Sequence, residues 1–325
     1  MLHEDRPTRG RHARTGVTKA LATTPAEELW APEVRALATE CELLVCNLEC
    51  CISERGAPTE LVPGKPFFFR APPRGVGALR AVGARAASLA NNHALDFGPE
   101  ALADTLGHLH DAGITAVGAG QGLDAARAGC VIEASPSLRL GVVAVSDHPA
   151  EFSAGEPDRP GIAHADLRAG APSWLVGEIA RLHASCDRVV CFPHWGPNMT
   201  TEPTRWQREL AGELLAAGAD LVAGHSAHVV HGVERRDGAL VAYDLGDALD
   251  DYRVDSHLRN DLGVLALWSP DTDPVLELVG LRLHWAHTEL AHGSDADWIA
   301  ARLERACGAL GTQVERVGEQ RLRIA

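Results

Sequence analysis

The chain has 325 residues, of which 46% are hydrophobic and 23% are charged, and these values exclude a disordered chain. Its 44 acidic and 30 basic residues give a formal net charge of −14, which argues against a general nucleic-acid binder. No apolar run reaches the ~18–20 residues that span a bilayer, and residues 1–19 lack the apolar core of a secretory signal. We therefore expect a cytoplasmic protein with no nucleic-acid partner and no membrane segment in this chain.

Cysteine and histidine usage narrows the kinds of site that the chain can carry. The eight cysteines form no CxxC pair, so a cysteine-based structural zinc site has no support. Most of them lie in apolar runs, where cysteine behaves as a small buried hydrophobe. The 16 histidines matter more, because histidine is the commonest metal ligand and acid–base group near neutral pH.

Predicted elements follow one another in a regular order. Residues 1–25 are expected to be a poorly ordered lead-in, and residues 26–325 a single domain, because no linker divides them. Helical spacing and capping residues predict helices over 26–39, 75–82, 99–112, 123–128, 171–184, 205–217 and 295–310. Apolar runs predict strands at 42–48, 86–90, 114–117, 130–134, 138–145, 188–192, 221–223, 262–268 and 275–283. Turn signals predict hairpins at Asp237-Gly238 and near Gly318-Glu319, so the fold class is α/β with a mixed sheet system covered by helices.

Four of the predicted strands end in polar side chains. These are Asn47 and Glu49; Asn91, Asn92, His93 and Asp96; His194; and His225 and His228. Taken singly, each group is equally well explained as an exposed turn, a helix cap or a structural histidine. Their coincidence favours a shared site, because ligands in open α/β sheets gather at the carboxyl ends of strands. One Glu, one Asn and three His make a nitrogen and oxygen ligand set that suits Mn²⁺, Fe or Zn²⁺.

A loop rich in Pro and Gly, residues 54–73, carries a second pattern. Lys65 and Arg70 flank three consecutive phenylalanines, Phe67 to Phe69. This arrangement suits an anionic substrate beside an apolar wall. The alternative is that the phenylalanines are core residues and the two cations are solvated.

These motifs, in this order, resemble the CapA family of bacterial poly-γ-glutamate biosynthesis (capsule) proteins, within the calcineurin-like metallophosphoesterase superfamily. The resemblance runs from about residue 26 to the C-terminus. Its landmarks are VCNLE at 45–49, LANNHALDFG at 89–98, AGI at 112–114, GAG at 118–120, PHWG at 193–196, GHSAH at 224–228 and YDLGD at 243–247.

The resemblance implies a four-layer α/β/β/α sandwich with two divalent ions at its edge. The implied metal ligands are Glu49 as the bridging carboxylate, Asn92, His194, His225 and His228. His93 would protonate the leaving group and Asp96 would orient it, in keeping with general acid catalysis beside a dinuclear centre. Further candidates for contact with substrate are Asn47, Asn91, Lys65, Arg70 and Asp247.

The sequence departs from the family at its start. The family's first strand normally ends in Gly-Asp, and that Asp is a metal ligand. Here the chain begins Met1-Leu2 with no preceding strand, and Asp5 is the only nearby acid that could substitute. We therefore expect a sandwich that lacks its first strand, with either a truncated start or a site short of one ligand.

Three functions remain open from the sequence. The first is a metal-dependent hydrolase of the CapA type, linked to poly-γ-glutamate or capsule polymer metabolism, with an anionic small molecule or polymer as substrate. The second is a non-catalytic accessory protein in a polymer synthesis or export complex, with an incomplete metal site. The third is a small-molecule phosphodiesterase unrelated to polymers.

Overall fold

The computed structural model describes residues 16–155, 159–250, 252–270 and 275–325. The helices in these ranges are α1 (Gly16–Ala20), α2 (Pro32–Thr39), α3 (Val76–Ala81), α4 (Gly98–Asp111), α5 (Leu123–Arg127), α6 (Ser173–His183), α7 (Arg205–Ala216) and α8 (Gly293–Ala309). Short 3₁₀ helices cover Ala26–Leu29, Pro73–Gly75, Ala150–Phe152 and Leu167–Ala169. None of the helices in the described ranges has the length and apolar character to cross a membrane.

The strands alternate with these helices in the first part of the chain and form hairpins in the second. They are β1 (Leu44–Asn47), β2 (Cys51–Ile52), β3 (Arg70–Ala71), β4 (Ala84–Ser88), β5 (Thr115–Val117), β6 (Ala119–Gly120), β7 (Cys130–Ser135), β8 (Leu138–Ser146), β9 (Gly161–Ile162), β10 (Arg188–His194), β11 (Leu221–Ala223), β12 (Val233–Arg236), β13 (Ala239–Ala242), β14 (Leu262–Ser269), β15 (Val275–His284), β16 (His287–Leu290), β17 (Val314–Arg316) and β18 (Arg321–Ile324). The predicted mixed α/β class is confirmed.

A parallel sheet of three strands, in the order β1-β4-β5, begins the fold. The short, alanine-rich β4 is its central strand. Successive side chains of a strand point to opposite sides, and because Ala86 and Ala87 are both buried, each face of β4 is covered. Ala87 packs with Leu102 and Leu109 of α4 on one face, while Ala86 on the other face enters the main core. The three-stranded sheet therefore lies between a helical layer and the centre of the protein.

A second sheet of six strands, in the order β12-β13-β11-β10-β8-β7, lies on the other side of that main core. Strands β8, β10, β11 and β13 run parallel, and β7 and β12 are antiparallel edges. The same alternation divides its side chains, since Val142 faces the main core and Val143 packs against α6 and α7. Helix α7 begins with a capping box of Thr204 and Gln207, which satisfies amide groups at its first turn.

A third, antiparallel sheet closes the core from the C-terminal part of the chain. Its order is β14-β15-β18-β17, with β16 also paired to β15. Leu276 and Leu278 of β15 and Leu303 of α8 join the main core. The hairpin predicted at Asp237-Gly238 is present between β12 and β13, with φ of 51° and 84° at the two turn residues, as a type I′ turn requires.

Two predicted features differ in the structure. The helix expected over 26–39 is broken at Trp30 and Ala31, because Pro32 begins α2 and disfavours a helical residue before it. Part of the expected lead-in is structured, since α1 precedes a fully buried Leu21, whereas residues 1–15 lie outside the described residues. That the described chain forms a single domain stays a prediction.

Candidate functional site

The predicted site residues lie at the carboxyl ends of parallel strands from two sheets. Glu49 lies two residues beyond β1, and Asn92 and His93 follow β4. His194 is the last residue of β10, and His225 lies two residues beyond β11. Because β1 and β4 pair in parallel, as do β10 and β11, each pair brings its polar residues to one edge of its sheet.

Glu49, His194 and His225 form a cluster in which one ligand atom from each residue lies within 4.8 Å of the others. The two imidazoles approach through Nδ1 atoms 2.8 Å apart, and Trp195 donates its backbone N–H to the carbonyl of His225. Burial, reinforced by neighbouring histidines, lowers the pKa of His194 well below its usual value and that of His225 to about 3. Both rings are therefore neutral near pH 7, which is the state in which imidazole binds a metal.

Gly224 brings His225 close to the end of β10 by allowing tight packing. A Cβ atom at this position would lie 2.3 Å from Nε1 of Trp195 and 2.4 Å from the carbonyl oxygen of Tyr243. The left-handed backbone positions of the loop are instead Ser226, with φ of 121°, and His228, with φ of 57°. Gly224 is therefore required for space.

A chain of amide side chains holds the Glu49 carboxylate. Asn47 donates from Nδ2 to Oε2 of Glu49 at 2.8 Å, and Asn91 donates from its Nδ2 to Oδ1 of Asn47 at 3.0 Å. Oδ1 of Asn91 in turn accepts the backbone N–H of His93 at 3.0 Å. Asn47 and Asn91, predicted to contact substrate, thus have their polar atoms engaged inside the protein.

His93 and Asp96 form a buried pair beside this carboxylate. Nδ1 of His93 lies 2.6 Å from Oδ2 of Asp96, and the same oxygen accepts the backbone N–H of Phe69. The His93 ring lies 4.1 Å from the ring of Phe69, and its Nε2 is 4.0 Å from Oε1 of Glu49. The pairing fixes Nδ1 toward Asp96 and leaves Nε2 facing the cluster. The catalytic roles of the two residues stay predictions.

Lys65 and Arg70 have different surroundings from those that we expected. The ammonium group of Lys65 lies 3.3 Å from Oδ1 of Asp96 and donates to the carbonyl of Asn92 at 2.7 Å, and its side chain is 8% exposed. Arg70 donates to the carbonyls of Arg55 and Gly56 and stacks on Phe97, away from the cluster. The Lys65 ammonium therefore supports the His93–Asp96 pair, and Arg70 is not brought to the site.

His228 and Asp247 complete the polar cluster. Nδ1 of His228 lies 2.8 Å from Oδ1 of Asp247, and its Nε2 is 3.7 Å from Oε1 of Glu49. Burial alone would lower the pKa of His228, but the carboxylates of Asp247 and Glu49 outweigh it and raise the pKa to about 10. Asp247 is the partner of this histidine through Oδ1, and its contact with substrate stays a prediction.

Several buried polar atoms in the cluster have no hydrogen-bond partner among the described residues. They include Oε1 of Glu49, Oδ1 of Asn92, Oδ2 of Asp247, Nε2 of His194 and Nε2 of His225. Leaving such atoms unsatisfied is costly, so a group of them usually serves an ion or a ligand. The donor set is nitrogen and oxygen, which fits the divalent metals expected from the sequence. Asp5, the other expected candidate, lies outside the described residues.

A cleft of about 390 Å³ opens beside the cluster. It is lined by Lys65, Pro66, Phe67, Asn92, His93, Asn198, Met199, His228, Tyr252, Arg253 and Asn260. Phe67 is 64% exposed here, so it is a wall of the cleft and not a core residue. Tyr252 and Arg253 were not predicted to belong to the site, because they follow no strand end and their local sequence contains no motif that indicates a ligand contact.

Asp147 and His148 were also missed, although they follow β8 in the same way that Glu49 follows β1. The His148 ring lies 4.9 Å from that of His194, and its Nδ1 is bonded to Asp147. Asp147 also accepts the backbone N–H of Gly196 at 2.9 Å. The Ser146-Asp147-His148 sequence at a strand end was the available signal.

Comparison with known proteins shows which family the chain belongs to. Residues 8–252 match the family model described as bacterial capsule synthesis protein PGA_cap. The chain belongs to this family. Because the match includes all four strand ends of the site, the CapA-type landmarks in the sequence are confirmed as marks of this capsule protein family.

Individual members of the capsule protein family are moderately similar to this chain. A Mycobacterium tuberculosis protein named probable polyglutamine synthesis accessory protein is 31% identical over 301 residues, which cover 85% of this chain and 75% of the relative. The PGA biosynthesis protein CapA of Bacillus subtilis is 31% identical over 50% of this chain and 41% of its own length. The capsule biosynthesis protein CapA of Bacillus anthracis is 26% identical over 57% of this chain and 47% of its own length.

Proposed function

We propose that this chain is a metal-dependent hydrolase that acts on an anionic substrate in poly-γ-glutamate or related capsule polymer metabolism. The observation that carries the proposal is the convergence of buried polar atoms without hydrogen-bond partners, which belong to Glu49, Asn92, His194 and His225. The three clustered ligand atoms of Glu49, His194 and His225 support it. A purely structural cluster would have satisfied these atoms within the protein.

The residues that would hold the metal are Glu49, Asn92, His194, His225 and His228, of which His228 would have to give up a proton when the ion binds. When bound, two divalent ions (Mn, Fe or Zn) would supply an activated water and neutralise charge on the reacting group. The neutral imidazoles of His194 and His225 favour binding, because no proton has to leave them. The pairing of Asn47 with Glu49 holds the carboxylate in place, as outer-shell partners do in metal sites.

His93 is the candidate proton donor. Its Nε2 faces the cluster and its side chain lines the cleft, while Asp96 holds the opposite nitrogen. A protonated imidazole in this position would give its proton to the departing oxygen or nitrogen of the substrate. Arg253, which lines the same cleft, supplies a positive charge that suits an anionic substrate, and Phe67 and Tyr252 supply apolar walls.

We extend the proposal to the fold class. Helices α4 and α3 lie outside the three-stranded sheet and α6 and α7 outside the six-stranded sheet. The inner faces of both sheets contribute to one core. This order of layers supports a four-layer α/β/β/α metallophosphoesterase-like sandwich.

The test combines metal binding with turnover. The protein is stripped with EDTA, reloaded with Mn²⁺ and assayed on phosphodiester, phosphomonoester and γ-glutamyl amide substrates. We expect metal-dependent turnover that His225→Ala abolishes, whereas the exposed His110→Ala on α4 leaves it unchanged. A preference for simple phosphodiesters would favour the small-molecule phosphodiesterase. Absence of both metal uptake and metal-dependent turnover contradicts the proposal.

The second candidate is a non-catalytic accessory protein in polymer synthesis or export. The name of the Mycobacterium tuberculosis relative, an accessory protein, favours it. It predicts that a strain carrying folded His93→Ala and His225→Ala variants still makes its polymer. Loss of polymer with each variant, at normal protein levels, would rule out the accessory role.

A further inference from the structure

A second pocket, of about 300 Å³, lies apart from the residues of the metal cluster and contains three arginines. Arg208 comes from α7, and Arg302 and Arg305 come from α8. The segment 196–204 borders both pockets, because Met199 lines the cleft and Thr201 lines the arginine pocket. Nothing in the proposed hydrolysis uses these arginines.

Arg302, which lines the pocket, is held in a fixed orientation. Its Nε donates to the carbonyl of Val230 at 2.6 Å, and its Nη2 donates to the carbonyl of Thr201 at 3.2 Å. Its guanidinium also lies 5.6 Å from the ring of Trp298. These contacts orient the guanidinium through neutral carbonyls, and the carboxylate that acts on its charge is that of Asp244.

The other two arginines add positive charge that the protein neutralises only in part. Arg305 lies three residues after Arg302 on the same face of α8, and it has no ion-pair partner among the described residues. Nη2 of Arg208 is 3.7 Å from Oε1 of Glu234, a carboxylate that already accepts hydrogen bonds from Tyr243 and Arg236 at 2.6 and 2.8 Å.

The lining of the pocket is mainly positive. Glu202, which is exposed, is its one acidic residue. Burial and the neighbouring Arg305 lower the pKa of Arg302.

We infer that the pocket of Arg208, Arg302 and Arg305 binds an oxyanion group of a ligand, a carboxylate or a phosphate. Guanidinium forks match both groups through paired hydrogen bonds. Guanidinium groups placed together repel one another unless an anion joins them. Through Thr201 and Val230, the bound anion would also steady the segment 196–204 that borders the cleft.

The test is binding to metal-free protein in EDTA at low ionic strength. Two ligands are titrated by calorimetry: a γ-linked glutamate decamer and inorganic phosphate. The variant is R208Q/R305Q, which spares the buried contacts of Arg302. The matched control is R74Q/R80Q, which removes two exposed arginines from another region and changes net charge equally.

We expect R208Q/R305Q to weaken binding at least tenfold and the control to weaken it less than twofold. If R208Q/R305Q loses affinity for the decamer alone, the group bound is a polymer carboxylate. If it loses affinity for inorganic phosphate as well, the group bound is a phosphate. Equal loss in both double variants, or no binding of either ligand to the unmodified protein, overturns the inference. The choice of the decamer rests on the proposed function, but the measurement needs no hydrolysis. Failure of turnover with binding retained at these arginines would therefore contradict only the proposed function.

Discussion

Nδ1 of His93 lies 2.6 Å from Oδ2 of Asp96, a carboxylate with no solvent exposure. The opposite oxygen of Asp96 lies 3.3 Å from the ammonium of Lys65. Lys65, Asp96 and His93 therefore form a buried line, and the lysine and the histidine at its two ends both line the cleft.

The first prediction concerns Asp96 as the residue that positions His93. Asp96→Asn should lower kcat about 10²–10⁴-fold on a substrate with a poor leaving group, the usual contribution of a general acid. The loss should shrink on an activated substrate such as a nitrophenyl ester, because its leaving group departs without a proton. Steady-state kinetics on the two substrates measures the difference. Asp111→Asn, at the exposed end of α4, is the control. Equal losses on both substrates would indicate a structural role alone.

The second prediction uses the fact that Lys65 and Lys19 are the two lysines of the sequence. Lys65→Met removes the cation that faces the buried Asp96 and should lower the free energy of unfolding by about 3–5 kcal/mol. Lys19→Met alters an exposed residue of α1 and should change it by less than about 0.5 kcal/mol. Urea denaturation of the two variants provides the measurement. Equal stability of both variants would show that the Lys65–Asp96 contact does not contribute to the free energy of unfolding.

The third prediction concerns metal and stability. Mn²⁺ at about 100 times its dissociation constant should stabilise the folded protein by about 2.7 kcal/mol, since the ion binds the native state. EDTA should reverse the rise in melting temperature. His225→Ala should abolish the rise and His110→Ala should leave it intact, as followed by thermal denaturation. A rise that survives in His225→Ala would place the ion elsewhere.

The fourth prediction compares two glycines. Gly224→Ala places a methyl group against Trp195 and the Tyr243 carbonyl, and we expect it to destabilise the protein by about 1–3 kcal/mol. Gly107→Ala, within α4 and with no atom within 4 Å of its new methyl, should stabilise by up to about 1 kcal/mol. Urea denaturation of both variants tests the pair. A neutral Gly224→Ala would mean that the loop moves readily away from Trp195.

The positions of the site residues along the chain were predictable, because strand ends can be read from apolar runs. Glu49, Asn92, His194 and His225 each fall where such a run stops. Their partners were harder to assign, since an amide or a lysine has several groups within reach. Lys65, predicted to contact substrate, lines the cleft and also contacts Asp96 and Asn92, which its local sequence did not indicate.

Contacts between distant segments could not be predicted from the sequence. The spacing of 65–70 suggested that both cations share a site, yet the extended chain directs Arg70 toward Phe97. The need for Gly224 depends on Trp195 and Tyr243, which are remote in sequence. Periodicity reports which face of a segment is buried, but not which segment buries it.

The exposed turn at Asp237-Gly238 offers a position at which the protein can be attached to a sensor chip. Strand β13 begins just after this turn and runs parallel to β11 and β10, whose far ends carry His225 and His194. The turn therefore lies at the opposite end of the sheet from the cleft. A short peptide tag inserted there, where loop tips tolerate extra residues, would attach the molecule to a sensor chip with its cleft facing the solution.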